Sequence, residues 1–447
     1  MAVTVVWVRR DLRMRDQPAL REAAAGGDRV LPLFVLDPAI ADAATPRRDH
    51  LLASLRALDG AMDGALVLRR GRPEQVVAQV AREAGADTVH ITAESTPFGR
   101  RRDERVRRCL EGDGRSLVAT GTPYAVGPGT LLKGDGTPYQ VFTPFSKAWR
   151  GHGWPAPAPM PRGLRWVRAV DSEGIPDGPA VEDAGEQAAR RRWKRWLGEH
   201  LDDYDGQRDR PDLDTTSRMS VPLKYGELHP RTLLADVAEH PAARTRAAQT
   251  FVSELCWREF YADVLWHHPA SAWQDLRPAL STMDYTRPGP ALEAWQHGET
   301  GFPMVDAGMR QLLAEGWMHN RVRMITASFL VKDLHIWWPH GARHFLDRLR
   351  DGDIASNNHG WQWVAGTGTD AAPYFRVFNP VTQGLKFDPG GEYVRRWVPE
   401  LRHLEGKTAH EPWKHDDGYV RGYPERMVDH AEEREEALRR YESARRS

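Results

Sequence analysis

Cysteine is scarce in this sequence. Cys109 and Cys256 are the only two in 447 residues, they lie far apart, and they fit no CxxC spacing. That excludes a disulfide framework and argues against a zinc or iron-sulfur site. Net charge is missing too: 62 Lys and Arg balance 62 Asp and Glu, so any contact with nucleic acid must come from a local basic patch. No apolar run reaches the roughly 18 residues of a membrane span, and the alternating residues up to Arg13 lack the apolar core of a signal peptide. A soluble, cytoplasmic protein without membrane partners is expected. No GxGxxG follows the first strand, and the near-match at Gly366 to Ala371 has no strand before it. His335, His340 and His344 crowd one segment, but no HExxH pattern accompanies them, so no metal site is expected.

What is present divides the chain. Over residues 1–126, apolar runs at 3–8, 30–37, 65–70, 87–94 and 116–121 are rich in Val, Ile and Leu and alternate with helical patterns. One such pattern, from Pro73, sets Val76, Val77, Val80 and Ala84 at helical spacing. Strand-helix alternation implies a parallel, doubly wound, Rossmann-like α/β domain. Residues 127–187 are punctuated by Pro and Gly and read as an interdomain linker; within them, the aromatic stretch Thr137 to Trp149 is apolar enough to pack on a domain surface. From 188 to 447 strand signals nearly vanish and an all-α domain is expected, closed by a charged tail that reads as a solvated helix. Tryptophan is concentrated there, with 13 of 17 at or beyond Trp193. Each indole brings an N-H that wants a partner, so the enrichment suggests stacking or redox work.

Four stretches could carry chemistry. Asp351 to Trp363 packs two carboxylates, paired amides and two indoles into thirteen residues; turn chemistry before a helix would also explain it. Asp214 to Ser220 offers hydroxyls and backbone N-H groups near a helix start, suited to phosphate oxygens or to an ordinary cap. On a helix, Glu254, Trp257 and Arg258 share one face, with Phe251, Leu255 and Phe260 as neighbours that disfavour exposure. Asn320 and Met324 likewise share a face, with Arg321 and Arg323 beside them.

Read together, Gly316 to Leu401 closely resembles the flavin-binding region of the DNA photolyase and cryptochrome family, and the similarity extends over nearly the whole chain, most like a class I photolyase acting on cyclobutane pyrimidine dimers. The resemblance implies FAD as cofactor and an α/β domain followed by a helical one. It implies diphosphate binding by Thr216, Ser217, Arg218, Met219 and Ser220, with Tyr204, Arg323, Asp351, Asp353 and Asn357 also at the cofactor. Asn357 matches the position facing flavin N5, where its amide can accept from N5-H or donate to it. Glu254, Trp257 and Arg258 would border the cofactor, with Glu254 contacting the dimer. Trp257 and Trp363 would wall the lesion pocket, Asn320, Arg321 and Met324 would face the lesion, and Arg208 would grip phosphate. Trp361 and Trp338 match the inner carriers of an electron-hopping chain whose outer member falls on Tyr285, a departure that Trp273 or Trp295 could repair.

For an antenna, Glu94 to Val106 resembles relatives carrying 8-hydroxy-5-deazaflavin, near Phe34 and Asp103, with methenyltetrahydrofolate, another flavin or an empty site as alternatives. The implied activity is light-driven repair of dimers in UV-damaged DNA by a monomer. The alternatives are a cryptochrome-type photoreceptor, against which the chain shows no long C-terminal extension, and a light-independent flavoprotein.

Overall fold

In the computed structural model, described over residues 2–26, 29–38, 45–370 and 376–446, the chain groups into two compact bodies. One comprises Met1–Asp202 with Ser217–Pro269, the other Asp203–Thr216 with Ala270–Ser447.

The first body is built on five strands: β1 (Val3–Val8), β2 (Arg29–Leu36), β3 (Val67–Arg70), β4 (Ala86–Ile91) and β5 (Ser116–Ala119). All pair in parallel in the order β3-β2-β1-β4-β5. Continuous Val, Ile and Leu runs suit strands covered on both faces by crossover helices, and every residue of β1 after Val3 is buried. The chain leaves β1 toward β2 on one side and returns to β4 on the other. The crevice beyond the carboxyl ends of β1 and β4 is therefore the topological switch point, where such sheets bind ligands. The helix Pro73–Glu83 starts with Pro at N1 and buries Val77 and Val80 as its spacing predicts.

Residues 127–187 contain the helix Phe142–His152, which buries Phe145 and Trp149. It packs on the helix Arg246–His267, where Glu259 accepts from Trp149 Nε1 at 2.6 Å and from the backbone N-H groups of Ala125 (2.5 Å) and Val126 (2.9 Å). Three donors offset part of the cost of burying that carboxylate; desolvation still pushes its pKa up to about 7.

The second body is helical, with a core of Trp295, Phe302, Phe329, Trp338, Phe345, Trp361 and Tyr393 among others. Burying side chains of this size contributes roughly 1.5–3 kcal/mol each. The helix Asn320–Ser328 runs on through one wide π turn, Phe329–Asp333, a distortion often found at working sites. Gly341, in the helix Trp338–Arg348, makes room for an indole: a Cβ there would lie 2.2 Å from Trp361 Cη2 and 2.5 Å from Leu330 Cδ2. The charged tail forms the helix His430–Arg446. It is less solvated than its composition suggests, because Ala437 and Ala444 pack with Leu280 and Met283.

Candidate functional site

In the first body, the helix Arg246–His267 carries Glu254, Trp257 and Arg258, all half-buried. The sequence places them on one face; their partners come from elsewhere. Arg258 donates to the carbonyls of Pro123 (3.1 Å) and Leu223 (3.3 Å) and lies 4.4 Å from the Tyr124 ring. Phe142 stacks on Trp257 at 3.7 Å, nearly parallel at 5°. One indole face is thus taken, and a base can stack only on the other. Ser217 Oγ accepts from Met219 N at 3.3 Å, Met219 is buried, and Arg218 holds a left-handed φ of 53°. The helix that follows, Ser220–Tyr225, is short, and Ser220 is exposed.

The carboxyl ends of β1 and β4 carry a dense polar cluster. Asp103 is held between Arg9 (2.6 Å) and Arg102 (3.0 Å), and both guanidiniums lie near the Trp7 ring, at 4.5 and 5.0 Å. Thr92 Oγ1 donates to Asp11 at 2.6 Å, and Arg9 donates to the Thr92 carbonyl. Phe34 is buried on β2 opposite Val8.

In the second body, the helix Ile354–Ala365 organises the site. Asp353 caps it, accepting from Ala355 N and Ser356 N at 3.1 Å, which satisfies two otherwise orphaned amides. Asp353, Asn357 and Trp361 follow at steps of four and so form one stripe. Asn357 donates through Nδ2 to the Ala342 carbonyl (3.0 Å) and to Asn358 Oδ1 (2.8 Å). Asn358 is itself fixed, its Nδ2 donating to the Ala272 carbonyl. Both donors of Asn357 are therefore spent, leaving Oδ1 as its open acceptor.

The neighbouring helix Asn320–Ser328 supplies Arg323, whose Nη2 meets Asp351 at 2.9 and 3.2 Å while Nε donates to the Met318 carbonyl at 2.8 Å. Arg323 and Asp351 thus form an ion pair. Arg321 grips Asp209 with both Nη2 and Nε, between 2.9 and 3.2 Å, and lies over the Phe387 ring at 4.5 Å. Asn320 is exposed at the helix start, and Met324 is half-buried. Trp363 packs against the core from a half-buried position, as does Trp337. Tyr204 opens the short helix Tyr204–Gln207, followed by Arg208 at its C-cap.

Sequence reasoning missed His319. Its Nδ1 accepts from Arg321 N at 3.2 Å, so Nε2 carries the hydrogen; burial pushes the pKa down to about 4 and keeps the ring neutral. Nε2 of His319 and Oγ1 of Thr216 are buried and find no partner among the described residues. Buried donors of this kind call for a polar ligand, and a diphosphate- or ribose-bearing cofactor fits them. Asp275 was also missed: it accepts from Trp338 Nε1 at 2.6 Å and lies beside the side chain of Trp337. No spacing signal links Asp275 to either indole.

The chain is similar to known proteins along its whole length. Residues 4–162 match the model described as DNA photolyase, and residues 251–443 match the FAD binding domain of DNA photolyase. The chain is 42% identical to the deoxyribodipyrimidine photo-lyase of Streptomyces griseus, over 100% of this chain and 99% of that protein. Among solved structures, it is similar to a class III photolyase from Agrobacterium tumefaciens with a TM-score of 0.94 and 35% identity, covering 100% of this chain and 98% of that one. A Synechocystis cryptochrome follows at 0.91 and 27%, covering 98% and 99%. A parallel α/β domain, a helical FAD-binding domain and full-length kinship agree: the chain belongs to the DNA photolyase family.

Proposed function

We propose that this protein is a light-dependent deoxyribodipyrimidine photo-lyase that splits cyclobutane pyrimidine dimers in UV-damaged DNA. The observation that carries the reading is the Asp353, Asn357, Trp361 stripe. It sets one amide acceptor and one oxidisable indole on the same helix face, with the carboxylate of that stripe taken up in capping the helix. Such an arrangement suits electron transfer rather than acid-base work. When bound, reduced FAD supplies the photo-excited electron and takes it back after the ring opens.

The chain's own residues bind and tune. Asn357 Oδ1 accepts from the flavin N5-H. Arg323 and Asp351, held as a pair, and the capping Asp353 border the ring system with Tyr204, Glu254, Trp257 and Arg258. The turn Thr216 to Ser220 receives diphosphate oxygens, supported by the unpartnered Thr216 Oγ1 and the left-handed Arg218; His319 Nε2-H donates to a cofactor oxygen. For the flipped-out dimer, Glu254 donates to or stabilises the pyrimidine carbonyls, and Trp257, on the face that Phe142 leaves open, and Trp363 form aromatic walls. Asn320, Arg321 and Met324 line the lesion side. Arg208 contacts phosphate, giving salt-dependent affinity with little base preference; Arg321, already matched by Asp209, contributes less. Positioning and electrostatics supply the catalysis. Trp361 and Trp338 are the inner carriers that reload the flavin with electrons.

The division of labour follows residues 1–126, 127–187 and 188–447. The polar cluster at the sheet's switch point, with Phe34 and Asp103, is proposed as the antenna site, suited to 8-hydroxy-5-deazaflavin. The protein works as a monomer in the cytoplasm. The test is to illuminate chemically reduced protein with dimer-containing oligothymidine and follow thymine absorbance. Recovery that requires both light and reduced flavin, and is slowed in Glu254→Ala, is expected. Failure of recovery with reduced flavin and DNA both bound would overturn repair and favour the photoreceptor reading.

A further inference from the structure

We infer that the outer terminus of the electron path is Trp337, with Asp275 as its proton acceptor, and that Tyr285 is a bystander. This rests on the proposal that Trp361 and Trp338 are the inner carriers.

The four aromatic candidates for the outer position differ in what surrounds them. Trp295 is fully buried, its Nε1 donating to the Thr326 carbonyl at 3.0 Å, and its ring meets Trp361 at 6.0 Å. It lies inward and cannot deliver a hole to the surface. Trp273 is half-buried, but the guanidinium of Arg343 lies 4.8 Å from its ring centre; a fixed cation there opposes a second positive charge. Tyr285 must lose its phenolic proton on oxidation. Its hydroxyl is buried without a hydrogen-bond partner among the described residues, and burial, then the nearby Asp275 charge, push its pKa up. Among the described residues no hydrogen-bonded acceptor is in place for that proton.

Trp337 has what the others lack. Its ring centre is 6.4 Å from that of Trp338, in edge contact, and it is half-exposed. The Asp275 carboxylate accepts from Trp338 Nε1 at 2.6 Å and lies beside the Trp337 indole. Trp361 Nε1, by contrast, is buried with no partner among the described residues. A hole is therefore stabilised by an adjacent carboxylate on Trp338 and Trp337 but not on Trp361, which drives it outward. Burial raises the pKa of Asp275, making it a better base.

The electrons and protons balance. Trp361 gives one electron to the photo-excited flavin, Trp338 refills Trp361, and Trp337 refills Trp338. The indole N-H proton of Trp337 passes to Asp275, leaving a neutral indolyl radical. A thiol in solution then supplies one electron, and Asp275 returns the proton.

Transient absorption on the FAD-loaded, oxidised protein tests this. The wild type should show a tryptophanyl radical that loses its proton, with no tyrosyl band. Trp337→Phe should lose the long-lived radical and drop photoreduction to the level of Trp361→Phe; Tyr285→Phe should keep both. Asp275→Asn should hold the radical in its cationic form. A tyrosyl band in the wild type, which needs no variant, or loss in Tyr285→Phe with retention in Trp337→Phe, would overturn the inference. If Trp361→Phe photoreduces normally, the underlying inner path fails instead. If Trp361→Phe is dead and Trp337→Phe is normal, only the outer terminus fails.

Discussion

The Arg323 and Asp351 pair offers a quantitative handle on the helical body. Asp351 is almost completely enclosed, its side chain 1% exposed, whereas the Arg323 side chain is 24% exposed. The two removals are therefore unequal. Arg323→Ala strands a buried carboxylate and costs about 3–5 kcal/mol. It also frees the Met318 carbonyl that Nε had satisfied. Asp351→Asn keeps an acceptor of the same shape beside a guanidinium that reaches water, and loses only the charge-assisted part, about 1–2 kcal/mol. Urea titration followed by tryptophan emission would show this as a fall in midpoint at constant slope, with FAD released early in Arg323→Ala. The double variant should show a coupling of at least about 1 kcal/mol. An Arg323→Ala cost equal to or below that of Asp351→Asn would refute the claim that enclosure of the carboxylate sets the energy.

Three further outcomes follow from single contacts. The folded pKa of Glu259, about 7, lies above its ordinary value of 4.5. Its contribution is thus fully present below pH 4.5 and is lost as pH rises through about 7, on the order of 3 kcal/mol; the difference in stability between wild type and Glu259→Gln should change across that window, and a difference independent of pH would contradict it. Gly341→Ala must push Trp361 and Leu330 aside, destabilising by about 1–3 kcal/mol and slowing flavin photoreduction; a neutral effect on the melting temperature would mean the helix can shift freely. Asn357→Asp replaces an amide whose donors are spent with a carboxylate facing the Ala342 carbonyl and Asn358 Oδ1; the spectrum of the bound flavin and its ease of reduction should both change, and identical titration curves would show that Oδ1 does not face N5.

Strand runs such as those at 3–8 and 30–37 were legible because a sheet buried on both faces demands continuous apolar sequence. The Asp353, Asn357, Trp361 stripe was legible because helical spacing is local. The partners that decide chemistry were not, since they come from far along the chain. Arg321 and Asp209 are separated by 112 residues and Trp338 and Asp275 by 63, and neither spacing leaves a pattern. Phe142 on Trp257 is of the same kind: an aromatic stretch expected only to pack on a surface closes one face of the indole. His319 escaped notice because one histidine before a helix looks like any cap, and its unsatisfied Nε2 is visible only in three dimensions.

In the proposed cycle the electron returns to the flavin after each repair, so counting dimers split per flavin tests it. Fully reduced protein, kept anaerobic and without added reductant, is illuminated with excess dimer-containing oligothymidine. Many dimers repaired per flavin, with the flavin still reduced at the end, are expected. One dimer or fewer per flavin, with stoichiometric flavin oxidation, would contradict it.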